Sequence, residues 1–234
     1  MAKKVSFGGI LNETSSLVAQ NLREVGLFIL ILGAYSAMGV MAGFTESVAG
    51  SFNYGVSYTP GEPVMSMLFE IGNVALSLVA TYLLIRHFVT ARRIAGDGSN
   101  RFWQFCGLYF LSIIGIALGF LLLVIPGLFL LVRWTAAPGF VVTGKHSITE
   151  SFSASWAATR GHGWVIFFSG LVLVFGLLAI FGVGSLIFWA LNPWVGGIIS
   201  AFFEVAISAI SLGYAAAVYL MVSDDSAELQ DVFG

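Results

Sequence analysis

Residues 102–142 read FWQFCGLYFLSIIGIALGFLLLVIPGLFLLVRWTAAPGFVV, and in these 41 positions the only Lys, Arg, Asp or Glu is Arg133. A bilayer hydrocarbon core about 30 Å thick takes roughly 20 helical residues. The stretch is therefore too long for one crossing and long enough for two. It is interrupted at Ile125-Pro126-Gly127, where proline can open a helix in its first turn but cannot continue one. Pro126 and Gly127 are read as a helix-breaking turn between spans at about 102–124 and 126–142.

Four more apolar runs flank this pair: 25–44, 63–85 interrupted by Glu70, 164–188 closed by Asn192-Pro193, and 195–222 interrupted by Glu204. The whole chain of 234 residues is 58% hydrophobic and 9% charged, against roughly a quarter charged in soluble domains. The fold class is thus an all-α integral membrane protein with six transmembrane helices in a single membrane domain, 1–234. A formal net charge of −2, with no basic stripe, excludes a nucleic-acid binder. The single cysteine, Cys106, excludes an intrachain disulfide framework and any CxxC site.

Two segments preceding spans have the pattern of amphipathic helices lying in the interface. In 6–24, Ile10, Leu11, Leu17, Val18 and Leu22 recur at helical spacing. In 147–160, Ile148, Phe152 and Trp156 do the same, opened by Ser147 and Glu150 at capping-box spacing. Superposing the two segments aligns Glu13 with Glu150, Arg23 with Arg160 and Gly26 with Gly163, while Phe69-Glu70 falls on Phe203-Glu204. The pattern of interfacial helix, span, span is expected twice, as a parallel internal repeat about an axis along the membrane normal. Gly39/Gly43 and Gly115/Gly119 are GxxxG pairs that suit close helix contacts.

Lys and Arg mark cytoplasmic loops. Lys3, Lys4 and Arg23 precede the first span, Arg86, Arg92, Arg93 and Arg101 lie between spans two and three, and Lys145 and Arg160 between four and five. The opposite loops, around Tyr54, Pro126 and Asn192, carry none, so both termini are expected in the cytoplasm. The first span is expected to stay attached, because its apolar run begins far behind Lys3 and Lys4. Arg23, Arg92, Arg93 and Arg160 are candidates for contact with anionic lipid head groups.

Ionisable residues within membrane spans are costly unless paired or hydrated. Counted at 1.5 Å per residue from the outer ends, Glu70 and Arg133 lie roughly 10 Å deep and Glu204 roughly 14 Å. A single intramembrane polar cluster of Glu70, Arg133 and Glu204 is expected, either an ion pair fixing helix register or a site for a proton, cation or polar head group. His87, His146 and His162 match no metal-ligand spacing, and no GxSxG, HExxH or P-loop sequence occurs. No enzyme, no metal and no cofactor is expected.

The run Leu123-Val124-Ile125-Pro126-Gly127-Leu128-Phe129, then Arg133 and Pro138, Glu150 with Ser155-Trp156, and Arg160-Gly161 before Trp164 resembles a widespread group of bacterial inner-membrane proteins. These are the YciC-like proteins and the membrane domain associated with glycerophosphoryl diester phosphodiesterases. The resemblance implies a six-span protein of the bacterial inner membrane associated with lipid or the envelope. It carries no catalysis, because the catalytic residues of such phosphodiesterases belong to a soluble domain outside the similarity. The expected function is that of a non-enzymatic accessory subunit of a membrane complex or a lipid-interacting envelope factor, with membrane lipids and other membrane subunits as partners. The alternative is a small transporter or channel built on the Glu/Arg cluster.

Overall fold

The computed structural model describes residues 5–44, 63–92, 100–144 and 146–233, and all regular structure among them is helical. In chain order the helices are α1 (Phe7–Gln20), α2 (Leu22–Ala42), α3 (Pro63–Ala91), α4 (Phe102–Leu122), α5 (Val124–Trp134), α6 (Ala137–Val142), α7 (Ile148–Ala158), α8 (Gly163–Leu177), α9 (Val183–Leu191) and α10 (Pro193–Phe233). A π-helical turn, Leu178–Gly182, joins α8 to α9. Six segments are long and apolar enough to cross a membrane: Leu22–Ala42, Val64–Ala91, Phe102–Leu122, Val124–Val142, Gly163–Leu191 and Pro193–Ser223. The chain is an all-α multi-pass membrane protein.

Local chemistry sets the helix boundaries. Asn21 separates α1 from α2, so the first long helix starts three residues before the expected span. Gly43 closes α2 in the left-handed conformation, φ 71°, donating back to Gly39 and Val40. The break inside 102–142 falls at Leu123, a single extended residue with φ −165° and ψ 153°, and not at the proline. Pro126 is the third residue of α5, where a missing N–H costs nothing because first-turn donors have no partner within the helix. Gly127 therefore belongs to a helix, and it serves packing: a Cβ on Gly119 would come within 2.9 Å of its Cα. At the end of α9, Asn192 Oδ1 accepts from the N–H groups of Trp194 and Val195 and so opens α10.

The described residues form two compact units. The first comprises Met1–Gln20, Tyr82–Val172 and Leu212–Gly234, the second Asn21–Thr81 and Leu173–Ser211. In the first, α4 and α5 form an antiparallel hairpin, α6 packs further down α4, and Phe105, Leu108, Ala136, Ala137 and Val141 are fully buried. Tyr219 of α10 covers Gly139, its ring edge-on to Phe140 at 4.9 Å. The buried Tyr214 hydroxyl donates to Ile166 O at 2.5 Å and lies 3.1 Å from Ser169 Oγ. Arg101 holds the start of α4 to the turn before α7, donating to the carbonyls of Gly144 and His146.

In the second unit, Tyr35 of α2 stacks on Phe69 of α3, with ring centroids 4.4 Å apart and planes 14° apart, and its hydroxyl donates to Phe69 O at 2.9 Å. Phe202 of α10 covers Gly33, and Phe203 packs on Phe181 at 5.1 Å and faces Gly184.

Helix α7 opens with the expected cap. Ser147 and Glu150 form the capping box: the Glu150 N–H donates to Ser147 Oγ at 3.4 Å and the Ser147 N–H to Glu150 Oε2 at 2.8 Å. Its apolar side packs in part on protein. Ile148 lies against Gly107, Phe152 on Trp134 with centroids 4.6 Å apart, and Trp156 on Phe129 at 5.3 Å. The apolar positions of α7 thus follow the α4–α5 hairpin.

Candidate functional site: an arginine between aromatic rings

Arg133 and Phe129 are one turn apart on α5, which sets the guanidinium beside the ring. Arg133 Cζ lies 5.1 Å from the Phe129 centroid and 5.6 Å from that of Trp156 on α7. The two rings meet nearly perpendicular, at 80°, so the cation sits in the angle between two π-faces, each of which attracts it electrostatically. Arg133 Nη1 donates to Thr159 Oγ1 at 3.4 Å. The backbone is fixed as well, because Ser155 Oγ donates to Arg133 O at 2.7 Å. Arg133 Nε is buried and has no acceptor among the described residues.

Trp134 turns the other way. Its ring tip fills the space left by Gly115, and its face packs on Phe152. Between these residues and the end of α7 runs an open groove of about 320 Å³ lined by Trp134, Phe152, Ser153, Trp156, Ala157 and Arg160. Arg160 is exposed at its polar end. Aromatic walls with a cation at one end suit an amphiphile bearing an anionic group. A guanidinium offers paired N–H donors to phosphate or carboxylate oxygens.

The expected three-residue cluster is not assembled within either unit: Arg133 belongs to the first, Glu70 and Glu204 to the second. In its own unit Arg133 meets two rings and a hydroxyl. Glu70 is 8% exposed and hydrogen-bonded to Asn73 one turn on. Its neighbour Phe69 packs on Tyr35, while Phe202, near Glu204, packs on Gly33. The two carboxylates thus stand on helices that meet α2 two residues apart.

The candidate head-group arginines divide. Arg23, at the start of α2, and Arg160 are exposed. Arg92 is already engaged, its Nη2 2.8 Å from Glu13 Oε1 and 2.7 Å from Ser16 Oγ. The carboxylate of α1 thus pairs with a charge that was a candidate for lipid head groups. Arg93 lies outside the described residues. Pro126 and Gly127 are part of α5, as above. Among the described residues no group of three His, Cys, Asp or Glu is placed to hold a metal. The aligned positions Glu13 and Glu150 also differ in role: the first is buried in an ion pair, the second exposed in a helix cap.

Sequence reasoning missed Phe129, Trp156 and Thr159 as partners of Arg133. The four-residue spacing of Phe129 and Arg133 is a signal that could have found the first; Trp156 belongs to a helix whose docking angle no periodicity encodes, and Thr159 follows it. Compared with known proteins, the chain matches no family model, no curated protein and no solved structure.

Proposed function

We propose that this is a non-enzymatic, multi-pass protein of the bacterial inner membrane, with both termini cytoplasmic, that holds anionic lipid at its inner surface. The observation that carries the reading is the arrangement around Arg133. Its guanidinium is oriented by Phe129, Trp156 and Thr159, two rings and a hydroxyl that carry no negative charge and so leave its positive charge for an anion. Arg160 adds a second cation beside the same tryptophan. Aromatic belts and basic residues at the membrane surface are the usual means of gripping head groups. The likeness of Leu123–Phe129, Arg133 and Ser155-Trp156 to the YciC-like inner-membrane group belongs to the same reading.

The test is native mass spectrometry of the full chain released into mild detergent after equilibration with phosphatidylglycerol or phosphatidylcholine. Retained phosphatidylglycerol that falls several-fold in Arg160→Gln and in Arg133→Gln supports the function. Equal retention of both lipids by parent and variants overturns it. A stoichiometric second protein chain would make the molecule an accessory subunit instead.

A second reading, a small transporter, draws on the buried Glu70 and on Glu204 at a related level of the second unit. Flux in proteoliposomes that disappears in Glu204→Gln, with the fold intact, would favour it. Lipid retention unaffected by either glutamate would not.

A further inference from the structure

We propose that the second unit binds a small monovalent cation, an alkali metal ion, at Glu70 of α3. The inference deepens the transporter reading by naming the class of solute. It rests on that reading for any passage of the ion, but the binding itself is measured without flux.

The first observation is the inversion of α3. Val64, Met67, Leu68, Ile71 and Val74 are 54 to 70% exposed, the surface that hydrocarbon takes. Ser66, Glu70 and Thr81 are instead buried, at 3, 8 and 9% exposure, and Asn73 and Ser77 are half-buried. These five polar residues follow one another at spacings of four, three, four and four, so they share one face of the helix. From Ser66 to Thr81 that face runs about 22 Å, most of a hydrocarbon core about 30 Å thick. Serine and threonine can return their hydroxyls to their own helix. A carboxylate has no such retreat, and carboxylates turned toward the interior of a membrane bundle mark ion pathways. In the same unit α10 repeats the pattern with Ser200, Glu204, Ser208 and Ser211, all half-buried.

The second observation is the division of charge between the units. Of the ten Lys and Arg, nine fall in the sequence ranges of the first unit and only Arg23 in those of the second. The second unit's ranges carry Glu24, Glu46, Glu62, Glu70 and Glu204, and residues 24–81 and 173–211 contain no Lys, Arg or His. A field of one sign attracts solutes of the other, and glutamates in a pore select cations. One carboxylate is balanced by one positive charge, so a monovalent ion leaves Glu70 neutral in hydrocarbon where a divalent one would not.

The third observation is the set of oxygens. The Asn73 side chain is hydrogen-bonded to Glu70, which occupies one of about four acceptor sites on an ionised carboxylate. Ser66 and Asn73, one turn to either side of Glu70 on the same face, add a hydroxyl and an amide oxygen. Hard cations take oxygen donors of these kinds. A proton needs the carboxylate alone, so the neighbouring oxygens favour a metal ion.

The experiment uses the full chain in phosphatidylcholine liposomes treated with dicyclohexylcarbodiimide, which enters hydrocarbon and forms a stable adduct with a membrane carboxyl that holds no metal ion. Peptide fragmentation locates the adduct, so the reading does not depend on a variant that folds. The expected result is an adduct on Glu70 that forms several-fold more slowly in sodium, potassium or lithium chloride than in choline chloride of equal concentration. An adduct on Glu70 that forms at one rate in all four salts describes a site for a proton only and overturns the inference, as does the lack of any adduct there. Uptake of radioactive sodium by the same liposomes reads transport separately. Protection without uptake upholds the cation site and removes the transporter reading; uptake without protection of Glu70 keeps that reading and overturns the site.

Discussion

Glu13 of α1 and Arg92, just past the end of α3, meet at 2.8 Å with unequal burial: the carboxylate is 5% exposed and the guanidinium 31%. That asymmetry decides what each substitution costs. Arg92→Met takes the guanidinium away from a buried carboxylate and is expected to cost ~3 kcal/mol. Glu13→Gln leaves a guanidinium that water can reach and is expected to cost ~1 kcal/mol. The double variant Glu13→Leu with Arg92→Met should recover most of the loss. Thermal unfolding of the four proteins in detergent reads the order directly, and equal single-variant effects would refute the asymmetry.

The rings around Arg133 act as a pair. Trp156→Leu removes one face and should lower stability by about 1 kcal/mol beyond the lost apolar contact, the worth of a partly buried cation–π interaction. Trp156→Phe keeps a face and should recover most of that increment. If Leu and Phe at this position unfold at the same temperature, the guanidinium gains nothing from the ring.

Glycines in the long helices are not equivalent. At Gly119 an added methyl would press on the backbone of Gly127, which cannot rotate away, so Gly119→Ala is expected to destabilise by ~1–3 kcal/mol. Gly26 has nothing within 4 Å of its Cβ position, and Gly26→Ala is expected to stabilise α2 by about 0.5–1 kcal/mol through helix propensity. Chemical denaturation of the two variants should move in opposite directions.

The capping box at α7 is pH-sensitive. The backbone N–H and hydroxyl of Ser147 hold the Glu150 carboxyl below its ordinary value of 4.5, with a smaller contribution from His146. A depressed carboxylate pKa gives stability that is present above the unfolded value and is lost as pH falls through the lower folded value. Between pH 6 and the acid side of 4.5, the parent should therefore lose stability relative to Glu150→Gln, which does not titrate. Parallel unfolding-temperature curves for the two across that window would show that the carboxylate contributes nothing there.

Much of the architecture was legible because a bilayer imposes one stringent demand, about 20 apolar residues per crossing helix, and six runs meet it. Ser147 and Glu150 were legible as a cap for a related reason: the motif is local, its partners three residues apart. What failed to show was everything dependent on the docking of one helix against another. Arg92 looked like a surface charge because positive-inside counting sees loops and not partners; its partner Glu13 lies two helices earlier, on α1. Pro126 looked like the break because proline ends helices, yet the first turn accepts it, so the break fell earlier, at Leu123. Phe129 and Trp156 beside Arg133 give it an electrostatic setting that hydropathy registers only as apolar.

The π-helical turn at Leu178–Gly182 has a bearing on how this chain tolerates change. A π turn is an α-helix with one residue too many, and one residue corresponds to about 100° of rotation. Everything beyond it, including Gly184 facing Phe203 and the buried Ser185, points where it does because that residue was inserted. Removing Ile180, whose side chain is 69% exposed, would heal the hydrogen-bond ladder while swinging α9 away from Phe203. The segment would become a more regular helix in a less well-fitted protein, so its length, counted in single residues, is under tighter constraint than the identity of the side chains it carries.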